Sequence, residues 1–421
     1  MFGICIILKA VTDRSVTFGK CMTKQDIINT AFKTWGRTLY QTTSLAELAS
    51  ELGVSKPALY RHFKNKDAIL QAMYEKLFDE YSDFFKIRYE NAVSDAKNGK
   101  IHATITIIMR IVGEYFIRNK EAFVFFLFGS YFNEYMQQMV IESFYKYKSK
   151  LQFEENEEEY PSLTQLMLVH LVFTVGYFHK TSPDTPTEET VQKLLLFIEE
   201  IIRGGLGVHR EIIETLDYEK LESMVAKRHY DETEENSIFK AVATAVAEAG
   251  NWNASMDMVA RRAGMSKSGL YYHFQNKRDM LRKLFMSELN IILEYVKEAV
   301  TWSNQAEEQF YLAIFSVAHY LRAKPEILLS ADWIKTRRLN LEIIPPPELF
   351  KIFSDIRAKI SGVEQETFEA MVEQIERTIF FEIANILTHR PEGMSLSDLP
   401  NGSIRRLFKF VALGIEGFKL N

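Results

Sequence analysis

Cysteine is nearly missing: Cys5 and Cys21 are the two that 421 residues carry. That excludes a disulfide framework and a cysteine-built metal site, and it suits a reducing cytoplasm. Proline (10) and glycine (19) are also scarce, too few to punctuate a many-stranded protein, so an all-α fold is expected. No apolar run reaches the roughly 20 residues of a membrane span. The nearest, Leu163 to Phe178, is interrupted by Gln165, His170 and Thr174 and reads as a buried helix, so no membrane partner is expected. A brief apolar patch, Ile4 to Leu8, has its basic residues after it and no clear cleavage site. Residues 1–22 therefore read as an N-terminal tail, with Met22 a second candidate start. HExxH, a Walker-type loop, a CxxC pair and a GxSxG elbow are all missing, and GGLGV at Gly204 to Val208 has no strand before it. These absences argue against an enzyme, and neither a cofactor nor a metal is expected. The acidic run Glu154 to Glu159 reads as a solvated loop, because consecutive carboxylates rarely close around an ion.

What the chain does have is one short program written twice. SLAELASELGVSKPALYRHFKNKDAIL at Ser44 to Leu70 aligns without a gap with SMDMVARRAGMSKSGLYYHFQNKRDML at Ser255 to Leu281. The offset of about half the chain points to an internal duplication. Shared positions include Ala49/Ala260, Gly53/Gly264, Ser55/Ser266, Lys56/Lys267, Leu59/Leu270, Tyr60/Tyr271, His62/His273, Phe63/Phe274, Asn65/Asn276 and Lys66/Lys277.

Each shared residue has a mechanical reading. A short helix from Ser44 puts Leu45, Leu48 and Ala49 on one face, Gly53 supplies a left-handed turn, and the Ser55 side chain is expected to cap the next helix. Pro57 is tolerated in that helix's first turn, and Leu59 and Phe63, spaced i and i+4, face the core together. The residues expected to point outward are Lys56, Ala58, Tyr60, Arg61 and His62, a basic and aromatic surface suited to phosphates and a groove edge. Asn65 caps the following helix, whose Lys66 reaches another phosphate. The second copy repeats this with Ser255, Ser266, Lys267, Ser268, Gly269, Tyr271, Tyr272, His273, Asn276 and Lys277. Upstream of each copy lies a helical stripe, Ile27, Ile28, Ala31, Phe32, Trp35 in one and Ile238, Phe239, Val242, Ala243, Val246 in the other.

Together these segments, IINTAFKTWGRTLYQTTSLAELASELGVSKPALYRHFKNKDAIL and IFKAVATAVAEAGNWNASMDMVARRAGMSKSGLYYHFQNKRDML, resemble the DNA-binding head of the TetR family of transcriptional regulators. The resemblance implies two tandem halves, each a three-helix helix-turn-helix head joined to a helical body that binds a ligand and dimerises. Family members usually carry one head per chain and homodimerise. Two heads on one chain lead us to expect an intramolecular pseudo-dimer, with a homodimer of the tandem chain as the other arrangement. A two-headed reader needs its recognition helices about 34–36 Å apart.

Local charge agrees with that division. The net charge of −5 does not advertise nucleic acid, yet 23–76 and 234–287 each carry eight Lys or Arg against five Asp or Glu. The heads are basic and the remainder acidic, which limits adhesion of the bodies to DNA.

The sequence divides into heads at 23–76 and 234–287, bodies at 77–206 and 288–421, and a connector at 207–233 whose charged composition is helix-compatible. Long helices, Lys66 to Tyr89 and Lys277 to Val300, should join each head to its body. The bodies should end in helix pairs, Leu163 to Lys180 with Glu188 to Leu206, and Glu366 to His389 with Ser403 to Lys419; the family places its dimer contact on such pairs. Phe116, Phe123, Phe125, Phe126, Phe128, Tyr131, Phe132 and Tyr135 read first as ordinary core. Their second reading is a pocket wall for a small apolar or aromatic effector, with His102, His170 or His179 as a polar handle. The functional expectation is a ligand-responsive repressor on a double-stranded operator. The alternative is a protein-interaction scaffold with one degenerate head.

Overall fold

The computed structural model describes residues 22–37, 43–95, 101–129, 160–182, 185–228, 230, 234–330, 379–391 and 393–418, with short pieces at 347–348, 351–352 and 355–356. Among them there are helices and no strand. The chain forms two compact units, one ending at Tyr74 and one beginning at Glu75.

The first unit holds α1 (Lys24–Arg37), α2 (Leu45–Glu51), α3 (Lys56–Tyr60) and the start of α4 (Lys66–Asp95). α1 starts at Thr23, whose hydroxyl accepts from the Asp26 amide at 3.1 Å while the Asp26 carboxylate accepts from the Thr23 amide at 2.9 Å. Its expected stripe is buried throughout, from Ile27 to Trp35. α2 opens with a complete capping box: Ser44 Oγ accepts from the Glu47 amide, and the Glu47 carboxylate accepts from the Ser44 amide. Gly53, at φ 66°, makes the turn, and Val54 N–H closes it on Ala49 O at 2.9 Å. Asn65 Oδ1 then caps α4 through the Ala68 amide at 2.8 Å.

The second unit begins along α4, where Leu77, Tyr81, Phe85 and Tyr89 are buried at helical spacing. Tyr81 faces α5 (Ile101–Arg118), which is followed by α6 (Lys120–Gly129). Tyr81 meets Tyr115 edge-on at 5.2 Å, and Phe116 packs on Phe123 and Phe126. Around this core a chain of ion pairs links Arg88 to Glu114, Glu114 to Arg118 and Arg118 to Glu188, each at 2.8–2.9 Å. Glu188 opens α8 (Glu188–Gly204), which follows α7 (Leu163–Thr181).

The connector carries two helices, α9 (Arg210–Thr215) and α10 (Tyr218–Ala226), so it is partly helical, as its composition implies. The second head follows with α11 (Glu234–Asn253), α12 (Met256–Arg262), α13 (Lys267–His273) and the start of α14 (Lys277–Val300). α15 (Ala306–Ala323) packs along α14, and the chain ends in helix 379–388 and α16 (Gly402–Leu413). A 3-10 turn at Gly414–Gly417 cuts the last helix short of the expected Lys419. Gly414 adopts φ 58° there, ending the α-helical ladder.

Within this unit the two bodies meet. The end of α8 and the end of α16 lie back to back, with Leu206 N–H donating to Val411 O at 2.9 Å and Val208 N–H to Ala412 O at 3.2 Å. Nearby, His170 Nδ1 on α7 lies 2.9 Å from the Glu382 carboxylate, both side chains buried. Tyr160 O–H donates to Ile386 O at 2.6 Å, and Arg406 Nε donates to Pro161 O at 2.9 Å.

Candidate nucleic-acid interface

In the first head, the turn after α2 aims α3 so that Leu59 and Phe63 are buried, while Lys56, Pro57, Tyr60 and Arg61 are exposed and His62 is half-buried. The Lys56 ammonium sits 6.0 Å from the Tyr60 ring centroid. Two expectations are corrected here. Ala58 is 6% exposed and faces inward, because α3 docks on α2 and buries the adjacent positions 58 and 59. Ser55 stands at the N-cap without a side-chain cap bond. Pro57 has no amide hydrogen, and the Ala58 amide donates to the Ser55 carbonyl at 2.9 Å, so neither amide is left for the hydroxyl.

Lys66 is half-buried, its ammonium 5.8 Å from the Trp35 centroid. Burial holds its pKa below the ordinary lysine value, against the opposing pull of Asp67 and Glu47. Its aliphatic stem therefore packs within the head.

The second head repeats the framework. Ser255 Oγ accepts from the Met258 amide, Gly264 takes φ 67°, and Met265 N–H closes on Ala260 O at 2.9 Å, the counterpart of Val54 and Ala49. Without a proline, Ser266 does cap its helix, accepting from the Gly269 amide at 2.9 Å. Helix α13 is seven residues where α3 is five, so Tyr272 lies within helix whereas its aligned Arg61 is the C-cap residue. Tyr272 is 88% exposed, flanked by exposed Tyr271 and His273, while Gly269 is half-buried and Lys267 and Ser268 are exposed. Asn276 caps α14 through the Asp279 amide at 2.9 Å, and Lys277 Nζ donates to Ala254 O at 3.1 Å.

Two residues near this surface escaped the sequence reading. Lys283 Nζ donates to His273 O at 3.1 Å, tying the end of α13 to α14. Asp257 lies 3.0 Å from Lys267 Nζ. Its signal was legible in the alignment, where a carboxylate stands opposite Ala46.

The candidate effector wall is partly described. Phe116, Phe123 and Phe125 are buried and Phe126 is half-buried; Tyr131, Phe132, Tyr135 and the side chains of Phe128 and His102 lie outside the described residues, as does the run 154–159. His179 Nε2 is 2.8 Å from Phe116 O, and His170 pairs with Glu382 of the second body, so both rings have partners within the protein. Among the described residues no cluster of His, Cys, Asp or Glu could hold a metal ion, and no helix is long and apolar enough to cross a membrane.

Two three-helix heads, each presenting a cationic and aromatic second helix, define a protein with a pair of helix-turn-helix folds. Residues 27–73 and 238–284 each match the family described as bacterial regulatory proteins, tetR family. The chain thus carries that family's N-terminal domain twice, in tandem. It is similar to the fatty acid metabolism regulator protein of Bacillus subtilis (strain 168), 28% identical over 126 residues, which are 30% of this chain and 58% of that protein. It is also similar to the uncharacterized HTH-type transcriptional regulator YerO of the same organism, 43% identical over 47 residues, 11% of this chain and 16% of that one. The chain therefore spans little more than half, or less, of these relatives' lengths. A solved structure of the transcriptional regulator FadR from Bacillus subtilis in complex with stearoyl-CoA aligns over 42% of this chain and 98% of that one, at 18% identity and a TM-score of 0.33.

Proposed function

We propose that the protein is a sequence-specific, double-stranded-DNA-binding transcriptional regulator of the cytoplasm, acting as a ligand-responsive repressor in which one chain supplies both heads. The observation that carries this reading is the paired exposure of Lys56, Tyr60 and Arg61 on one recognition helix and Lys267, Tyr271 and Tyr272 on the other. Pairing within one chain is supported by the contact between the ends of α8 and α16, where the family's dimer surface would lie. The remaining site assignments, Ser44, Ser55, Pro57, His62, Lys66, Ser255, Ser266, Ser268, Gly269, His273 and Lys277, are proposed as cap, phosphate or groove-edge contacts. Ala58 serves as packing beneath them.

The heads differ at exposed positions, Pro57 against Ser268 and Arg61 against Tyr272. Arginine suits the guanine edge, whereas a tyrosine offers a ring and a hydroxyl. Selection from random duplexes should therefore return an operator with two unlike half-sites, bound by one chain per duplex in light scattering. Enrichment of a strict palindrome would count against single-chain pairing.

Lys66→Met or Lys277→Met keeps the packed stem and removes the charge. Each should weaken binding to all sequences and flatten the log–log salt dependence by about 0.9. An unchanged slope removes these lysines from the phosphate contacts.

For the effector, an apolar or acyl compound is the proposal, supported by the rings of Phe116, Phe123 and Phe126 and by the name of the Bacillus subtilis relative. Moving operator occupancy from 1:99 to 99:1 requires about 5.5 kcal/mol of differential affinity between two body arrangements. The scaffold reading is separated by a mobility shift. Loss of a salt-sensitive shift on changing either head supports DNA, and no shift with any duplex supports a protein partner.

A further inference from the structure

The two recognition helices begin with the same lysine, but only one meets a carboxylate on the preceding helix. In the second head, Lys267 Nζ lies 3.0 Å from Asp257 Oδ1 and 3.2 Å from Oδ2. Asp257 sits in the first turn of α12, and both side chains are more than half exposed. At the aligned place in the first head stands Ala46, and Lys56 lies instead over its own Tyr60 ring. The hydrogen bond and then the charge of Asp257 raise the Lys267 pKa, so the ammonium persists and it is the pairing, not the charge state, that separates the heads.

We propose that Asp257 attenuates the second head: its carboxylate occupies Lys267 and opposes phosphates, making that head a weak general binder that engages only where base contacts compensate. This rests on the DNA-binding reading above. An exposed pair of this kind adds little to folding stability, so its consequence falls on binding. A lysine already neutralised by a neighbour releases less from the counterion atmosphere of the duplex, and the carboxylate itself repels the phosphates. Random DNA is held by phosphate contacts alone, whereas an operator adds base contacts. The loss is of similar size on both, and on random sequence no base contact offsets it. The first head lacks the device and supplies the initial grip.

The test uses the full chain, a random-sequence duplex and the selected operator, titrated over a range of salt. Asp257→Ala and Asp257→Asn should each tighten random-duplex binding by roughly fivefold near 0.1 M salt and steepen its log–log slope by up to about 0.9. Operator binding should tighten by a similar factor, because a phosphate contact is common to both duplexes. Ala46→Asp should do the reverse through Lys56. In a Lys267→Met background, Asp257→Ala should steepen the slope by less, because only the carboxylate's own repulsion is then relieved. The proposal is overturned if Asp257→Ala leaves random-duplex affinity and slope as they were, or if the steepening is undiminished without Lys267. Absence of salt-dependent binding by the unaltered chain would overturn the DNA reading itself, a result distinguishable from either of those.

Discussion

Gly414→Ala should lower the stability of the larger unit by about 2–6 kcal/mol, the sum of backbone strain and overpacking. Gly205→Ala should do nearly the same. Both glycines follow a helix at φ 58°, with ψ of −136° at Gly205 and −151° at Gly414, a combination that L side chains rarely adopt. A Cβ on Gly205 would lie 2.5 Å from Gly414 N and 2.6 Å from Val411 O, and one on Gly414 would lie 2.5 Å from Arg203 O. Those neighbours are backbone and cannot swing aside. The two sites obstruct one contact, so the double variant should cost less than the sum of the singles. Gly204→Ala is the control, since nothing lies within 4 Å of its added Cβ and α8 is still helical there. It should be neutral or stabilise by up to about 1 kcal/mol. Thermal melting reads all four proteins, and equal melting temperatures for Gly204→Ala and Gly414→Ala would refute the close approach.

Glu222→Gln should cost about 2–3 kcal/mol, and Glu222→Ala at least as much. The Glu222 carboxylate, on α10 of the connector, is 5% exposed and accepts from Tyr311 O–H at 2.6 Å, Asn401 Nδ2 at 2.7 Å and Arg405 Nε and NH2 at 2.5 and 2.9 Å. One carboxylate thereby ties the connector to α15 and α16. Removing one partner of a buried pair costs about 3–5 kcal/mol when the other is stranded. Arg405 keeps about a third of its side chain in water, which places the expectation at or below the lower end.

The pH dependence has a definite sign. Burial pushes the Glu222 pKa up, but the hydrogen bonds from Arg405, Tyr311 and Asn401 and the Arg405 charge outweigh it, and the net shift is below the ordinary carboxylate value. A group depressed on folding stabilises fully above its unfolded pKa and loses that contribution as pH falls through the folded one. The gap between the unaltered protein and Glu222→Gln should therefore be full at neutral pH and close on acidification through the carboxylate range. A gap independent of pH down to the acid limb would show that Glu222 contributes by shape rather than charge.

Much of both heads was legible in advance, because their signals are local. The stripe Ile27 to Trp35, the turn at Gly53 and the cap at Asn65 each depend on residues within one or two helical turns. α14 runs over Lys277–Val300, the span expected from its cap and periodicity. The site was less legible where a local rule competed with a neighbour. Ser55 is a good cap by type but loses its donors to Pro57 and to its own carbonyl, and Ala58 counted as surface until α3 was docked. His170 was weighed as a ligand handle on its own helix. Its partner, Glu382, lies 212 positions away, a distance over which no periodicity carries information.

By itself, then, the order of residues determined that the chain is helical, that one helix-turn-helix program occurs twice, and which faces of those helices are apolar. These follow from backbone preferences and from burial patterns of short range. Only the tertiary structure decided which charged groups are spoken for, that Lys267 meets Asp257, that Glu222 gathers four donors, and that two helix ends touch through Gly205 and Gly414. Such pairings are set by where separate helices come to rest against one another, and the free energy of that packing is a property of facing surfaces, not of any single segment.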